Sequence, residues 1–340
     1  MKKNIGLLKS ALSLLAGLLV CMAIILIFAK KPLQALSSFF TGTFTSPYYF
    51  GGMLNSAAFL MTAGCGACLA IKSGSMNLGG EGQVYAGGYV TALILTTPIF
   101  LQQGFSVLTQ VLALLLCLAS GAAMALASAF LKRARNAQVL LTSFLISAGL
   151  IPLIDSLITS SKSSSEQNLL SLPFIQDSFK WGQILKPSPL TFSFFIALAL
   201  CLLLSYFLLR NTQGKRICIM GTAPEFAKYA GFPCERYSSF CLAASGALHS
   251  LTGFFAVTGT YYTCHKGFYM NMGWNALSAA LIVHAEPALL IPSSLLLAWL
   301  YSSADRVNLT QGFAFDISGI VQGCVLFAAA FSFIRKGEAK

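Results

Sequence analysis

The chain has 340 residues, of which 56% are hydrophobic and 9% charged, against the roughly 25% charged of ordinary soluble domains. Its apolar residues gather into long uncharged runs, such as 11–29 (ALSLLAGLLVCMAIILIFA) and 187–209 (PSPLTFSFFIALALCLLLSYFLL). About 20 such residues in a helix cross the roughly 30 Å hydrocarbon core, so the pattern excludes a soluble protein and indicates an all-α polytopic membrane protein. A barrel is excluded by the same runs, because barrel strands alternate apolar and polar residues.

In chain order the hydropathy predicts about ten transmembrane or half-membrane helices, near 7–29, 50–71, 76–99, 107–131, 138–158, 190–209, 237–260, 273–285, 288–304 and 315–334. The first run follows Lys2 and Lys3 but ends at Lys30 and Lys31, not at a small-residue cleavage site. It therefore reads as an uncleaved span rather than a signal peptide. The formal charge of +12 could suggest nucleic acid, but the basic residues sort by topology. With the N-terminus in the cytoplasm, 15 of the 22 Lys and Arg lie inside, including Lys72, Lys132, Arg133, Arg210, Lys215, Arg216 and Lys228. That is the positive-inside pattern. Both termini are expected in the cytoplasm, with no nucleic-acid partner. One transmembrane domain is expected to cover 1–340.

Two connections are long. Residues 159–189 are rich in Ser, Lys and Pro and fall on the extracytoplasmic side, as a solvated loop or a docking surface. Within them LLSLPFI could pack on the membrane surface. Residues 210–236 (RNTQGKRICIMGTAPEFAKYAGFPCER) are cytoplasmic. Here APEFAKYAG predicts a short helix: Pro224 suits its first position, while Glu225 and Lys228 suit its positive and negative ends. Gly231 and Pro233 stop it. So short a helix is marginal in water, so it needs a surface to lie on.

Segments 273–285 and 288–304 are short and separated by HAEP, where Pro287 breaks the helix and Glu286 would be costly in lipid. Broken backbone at membrane depth survives only inside protein or beside a water-filled cavity. Ionisable or amide side chains within spans are then candidates for a translocation path or gate: Asn77, Glu81 and Gln83 in NLGGEGQ, and Trp274 with Asn275. Asn77 could cap the helix that carries Glu81 on the same face. Asp155 lies near the outer end of its span and is expected to snorkel.

Ten cysteines lie mostly inside apolar runs, where a free thiol packs as a small hydrophobe. The Cys65–Cys68 pair has redox spacing without a redox context. His249, His265 and His284 lack ligand spacing, so no metal site is expected, and no side chains complete a catalytic set. No G-x-x-x-x-G-K-[ST] motif is present, so no Walker-type ATP site is carried here. If transport is ATP-driven, ATP and Mg belong to another subunit.

Three stretches together carry a resemblance. SGSMNLGGEGQVYAGGYVTAL (73–93) resembles the N-I-G-x-E-G-Q segment of permease subunits from bacterial ABC importers of the nucleoside, simple-sugar and branched-chain amino acid type. GKRICIMGTAPEFAKYAGFP (214–233) is similar to that family's cytoplasmic R-A-V-G-x-N-P-x-A-A-x-Y-A-G-I loop, and ISGIVQGCVLFAAAF (317–331) to its last span. The resemblance implies that Gly221, Pro224, Glu225, Ala227, Lys228, Tyr229 and Gly231 form a coupling helix resting on an ATP-binding subunit. It also implies a second permease subunit, identical or homologous, an extracytoplasmic substrate-binding protein, and a bacterial inner-membrane location. The substrate would be a nucleoside, a related ring compound such as a flavin, or a simple sugar.

The sequence departs from the family at Cys218 and Ala223, where a basic residue and Asn are usual. It departs again at Asn275 for Asp, and at Glu286–Pro287 for Asn-Pro. The competing reading is a stand-alone ion- or proton-coupled secondary transporter, which would use Glu81, Glu286 and Asp316. Glu81 itself is expected to hold loop N–H groups as a structural anchor.

Overall fold

The computed structural model describes Leu15 and residues 17–98, 106–161, 169–313 and 315–337. The start of the expected first span therefore lies outside the described residues. Among these residues the chain is helical apart from one isolated bridge. The helices are α1 (Gly17–Phe28), α2 (Pro32–Thr41), α3 (Pro47–Lys72), α4 (Gly80–Thr96), α5 (Ser106–Arg135) and α6 (Val139–Thr159). They continue as α7 (Ser193–Arg210), α8 (Thr212–Thr222), α9 (Pro224–Tyr229), α10 (Cys234–Ala256), α11 (Met272–Ile282), α12 (Pro287–Gln311) and α13 (Ile317–Gly337). Six of them (α3, α5, α6, α7, α10 with its extension to Tyr261, and α12) are long and apolar enough to cross a membrane.

Helices α3, α4, α10 and α11 are buried at the centre, whereas α5, α6 and α7 turn apolar faces outward. Exposed Leu115, Phe144, Leu145, Leu202 and Leu203 belong to those faces. In a hydrocarbon solvent such side chains cost nothing, so association inside the bundle depends on close packing rather than on hiding apolar surface. The sequence supplies small residues for it. A Cβ on Gly246 of α10 would lie 2.1 Å from the Gly121 carbonyl oxygen of α5, and one on Gly253 would lie 2.2 Å from the Val84 carbonyl oxygen of α4. Backbone meets backbone at both crossings.

Two helices begin inside the bundle rather than at its surface. After α3 ends at Lys72, residues 73–79 turn back and α4 starts at Gly80, against His249 of α10. After α10, a π-helical segment Val257–Tyr261 and an irregular stretch lead to α11, whose N-cap Asn271 takes positive φ. The expected short segment near 273–285 is thus an 11-residue helix. The expected short segment at 288–304 is instead the 25-residue α12, which runs on through Asp305 and Arg306 to Gln311. Those charges look like the end of a span in sequence. In the fold Arg306 donates to the Gly42 carbonyl and to Thr45 Oγ1, which removes the cost of continuing the helix.

The described part of the loop before α7, from residue 169, is packed rather than solvated. Residues 170–181 run beside 258–266: Leu172 N–H donates to Cys264 O at 3.0 Å, Ile175 N–H to Tyr262 O at 2.9 Å and Trp181 N–H to Thr258 O at 2.9 Å. Leu172, Ile175 and Phe179 are buried. The backbone polar groups left open by the broken end of α10 are satisfied in this way. On the outer face of this lid Lys180 bridges Asp177 at 2.6 Å and holds its carboxyl below the usual range. Asp155, expected to snorkel, instead accepts a 2.6 Å hydrogen bond from the Tyr85 hydroxyl.

Candidate functional site

Glu81 lies in the first turn of α4 and is 7% exposed. Its Oε1 accepts from the Trp274 N–H at 3.0 Å, and its Oε2 is buried without a hydrogen-bond partner. Glu81 therefore ties the N-terminus of α11 to the N-terminus of α4, where two positive helix ends meet one negative side chain. The approach depends on glycine, since a Cβ on Gly273 would lie 2.5 Å from the Glu81 nitrogen.

Asn77 is not the cap of α4, whose N-cap is Gly79 without a side-chain bond. Its Oδ1 accepts from the Gly79 N–H at 2.9 Å, and its Nδ2 donates to Gln83 Oε1 and Ser245 Oγ, both at 3.0 Å. Asn77 and Gln83 thus close a polar knot between the 73–79 turn and α10. Of the five candidate path residues, Asn275 alone lines the cavity between α3, α12 and α13, and neither this knot nor Glu81 borders it. Trp274 and Glu81 border a smaller cavity of about 250 Å³ beside α6.

The main cavity, about 480 Å³, lies between α3, the α10–α11 connection, α12 and α13. Its polar residues include Asn55, Thr260, Asn275, Tyr301, Asp305, Arg306 and Gln322, and its walls include Tyr48, Tyr49, Phe59 and Met270. The volume lies in the range of small-molecule sites. Sequence reasoning missed most of these residues. Asn55 and Gln322 are single amides in apolar runs, a visible signal; Tyr301, Asp305 and Arg306 fell at or beyond the expected end of their span.

At the end rich in Lys and Arg, α8 and α9 form a bracket. Pro224 opens α9, and Glu225 bridges Lys228 at 3.0 Å. Gly231, at φ +73, closes it: the Phe232 N–H donates to Ala227 O and the Gly231 N–H to Lys228 O, both at 3.0 Å. This double closure is the Schellman arrangement, which needs a left-handed residue after the helix. Ala227 is buried, while Tyr229 is 98% exposed and Phe226, three residues before it, is 62% exposed. The bracket is seated on α3, because a Cβ on Gly221 would lie 2.1 Å from the Lys72 carbonyl oxygen. The Lys72 ammonium in turn pairs with Glu286 at the start of α12. Gly221, Pro224 and Lys228 also border a second cavity of about 500 Å³ with Lys132 and Arg133.

A helical bundle with helices broken inside it, a polar cavity at one end and an aromatic-bearing bracket at the basic end defines a membrane transporter subunit. The family described as branched-chain amino acid transport system permease component matches residues 49–330, and the chain belongs to that family. It is a multi-pass ABC importer permease. It is 32% identical over 97% of its length, and 89% of the relative's, to a protein of Treponema pallidum (strain Nichols) named as a probable riboflavin import permease, RfuC. It is 21% identical, over 98% of its own length and 95% of the relative's, to the guanosine ABC transporter permease protein NupP of Bacillus subtilis (strain 168). Among solved structures, PsaBC from Streptococcus pneumoniae in complex with Fab covers 88% of this chain and 94% of that chain, with a TM-score of 0.48 and 18% identity.

Proposed function

We propose that the chain forms, with a second permease subunit, the translocation path for a neutral ring compound of the riboflavin or nucleoside kind in a bacterial inner membrane. The names of the two relatives support this substrate class over a simple sugar. The termini and the α8–α9 bracket face the cytoplasm, and the cavity with the 169–189 lid faces outward, where a substrate-binding protein delivers the solute. ATP and Mg are bound by a separate ATP-binding subunit seated on α9. The path works by alternating access, with Asn275 on its wall and with Asn77, Glu81, Gln83 and Trp274 as the joint that keeps α4 and α11 in register.

The observation that carries this reading is the pair of aromatic side chains, Phe226 and Tyr229, held outward on a helix too short to stand alone. An exposed aromatic pair on a rigid seat is an anchor for a partner's pocket. The seat runs from Gly221 to Lys72 and on to Glu286, so movement of α9 is passed to α3 and α12.

The test is purification of the tagged chain with its ATP-binding subunit. Tyr229→Ala is expected to lower substrate-stimulated ATP hydrolysis about tenfold or more, as loss of a hot-spot aromatic commonly costs 2 kcal/mol or more. The permease itself stays folded, because Tyr229 touches almost nothing within the chain. Full stimulation in that variant would move the coupling surface elsewhere.

A further inference from the structure

Four residues that line the main cavity each carry a buried side-chain atom with no hydrogen-bond partner: Asn55 Oδ1, Tyr301 Oη, Arg306 Nε and Gln322 Oε1. Each is fixed by what the rest of its side chain does. Asn55 Nδ2 donates to Thr260 Oγ1 at 2.9 Å, and Gln322 Nε2 donates to Ser318 Oγ at 3.2 Å. Both carbonyl oxygens are left without a partner in the wall around the cavity. Arg306 spends Nη1 on the Gly42 carbonyl and Thr45, and its guanidinium lies 4.0 Å from the Tyr49 ring centroid. Its Nε, beside Gly42, is buried without a partner.

Unpaired buried polar atoms are rare because each costs on the order of 1–3 kcal/mol. Four of them around one cavity, on α3, α12 and α13, are a set waiting for a partner. We infer that Asn55, Tyr301, Arg306 and Gln322 form the recognition site for the polar edge of a planar, neutral, fused heteroaromatic ring. This inference rests on the importer reading and names the residues that would select its substrate.

Three features narrow the ligand to that class. The atoms comprise two carbonyl acceptors, the Arg306 N–H donor and the Tyr301 hydroxyl, so the ligand must offer both acceptors and donors, as the edge of a pyrimidine-dione or a guanine does. Asp305 and Arg306 both line the cavity, so its formal charges cancel and a phosphorylated ligand would meet no excess of positive charge. The rest of the lining mixes Ser56, Thr260, Asn275 and Ser302 with aromatic and thioether surfaces, including Tyr49, Phe59, Met53 and Met270. The latter suit the face of a ring. A free sugar, with no aromatic face, would leave the aromatic and thioether part of the wall without a matching surface.

The full chain, reconstituted in lipid nanodiscs, is tested for saturable binding of tritiated riboflavin, guanosine and ribose, with co-purification of the ATP-binding subunit scored separately. Riboflavin or guanosine is expected to bind and ribose not to. Tyr301→Phe deletes one hydroxyl without changing shape, and Gln322→Leu deletes one carbonyl. Each is expected to weaken ring binding about 5- to 100-fold, the cost of one unmet hydrogen bond in a desolvated site, at unchanged abundance in the membrane. Preferential ribose binding, absence of any ring binding by the native chain, or unchanged affinity in both variants would overturn the assignment. Failure to recruit an ATP-binding subunit would instead overturn the importer reading, whatever the chain binds.

Discussion

A single carboxylate, Glu81, does at residue scale what a helix cap usually does with a neutral side chain. It sits at the start of one buried helix and accepts from the start of another. Glu81→Ala leaves the Trp274 N–H without its acceptor, at a cost of about 1–3 kcal/mol, and should lower the thermal midpoint and membrane abundance of the purified chain. Glu81→Gln keeps an acceptor oxygen, so it should recover most of that loss. Equal behaviour of the two variants would mean that the charge, and not the acceptor, is what matters.

The Lys72–Glu286 pair is a second residue-scale case. Glu286 is 45% exposed, so the pair contributes little to stability by itself. Its value is positional, since it joins the end of α3 to the start of α12. A double-mutant cycle with Lys72→Met and Glu286→Gln should give a coupling of about 0.2–1 kcal/mol in denaturation. Transport should suffer more than stability does, and charge reversal at both positions should restore part of it.

Among the elements, α10 is the axis on which the bundle is assembled. Its glycines meet backbone on α5 and α4, and Ser245 and His249 pack against Gly66 of α3. His249 Nδ1 is spent on the Ser245 carbonyl at 2.8 Å. Cys65 of α3 likewise lies against Cys201 of α7, Sγ to Sγ 3.4 Å, as small soft packing. Gly246→Val would push α5 and α10 apart. Overpacking of this kind costs about 1–3 kcal/mol, sometimes more, readable as a lower midpoint of denaturation in detergent. The same substitution at Gly149, where a Cβ meets open space, should be nearly silent.

For the whole molecule, the two ends differ in chemistry. One carries the bracket, Lys132, Arg133, Arg210 and Lys228; the other carries the cavity mouth and the 169–189 lid. With the basic end in the cytoplasm, a protease site inserted at exposed Gly182 should be cut in intact spheroplasts, and one inserted at Gly231 only after lysis. The opposite pattern would invert the chain and place the bracket outside, away from any ATP-binding subunit.

Hydropathy alone determined that the chain is a helical membrane protein, because a run of apolar residues long enough to span lipid has few other uses. Local chemistry was enough to find α9 as well: Pro at its start, Gly after its end and an ion pair between them are all short-range signals. What sequence could not reveal was that α4 and α11 begin against each other. That depends on Gly80 and Gly273 fitting together 193 positions apart, with Glu81 bonded to Trp274 across the same separation. The length of α12 was hidden for the same reason, since Asp305 and Arg306 read as a span's end until Gly42 and Thr45 are brought beside them. The cavity, too, exists only in the fold, because residues 55, 301, 306 and 322 border one space only when three helices close around it.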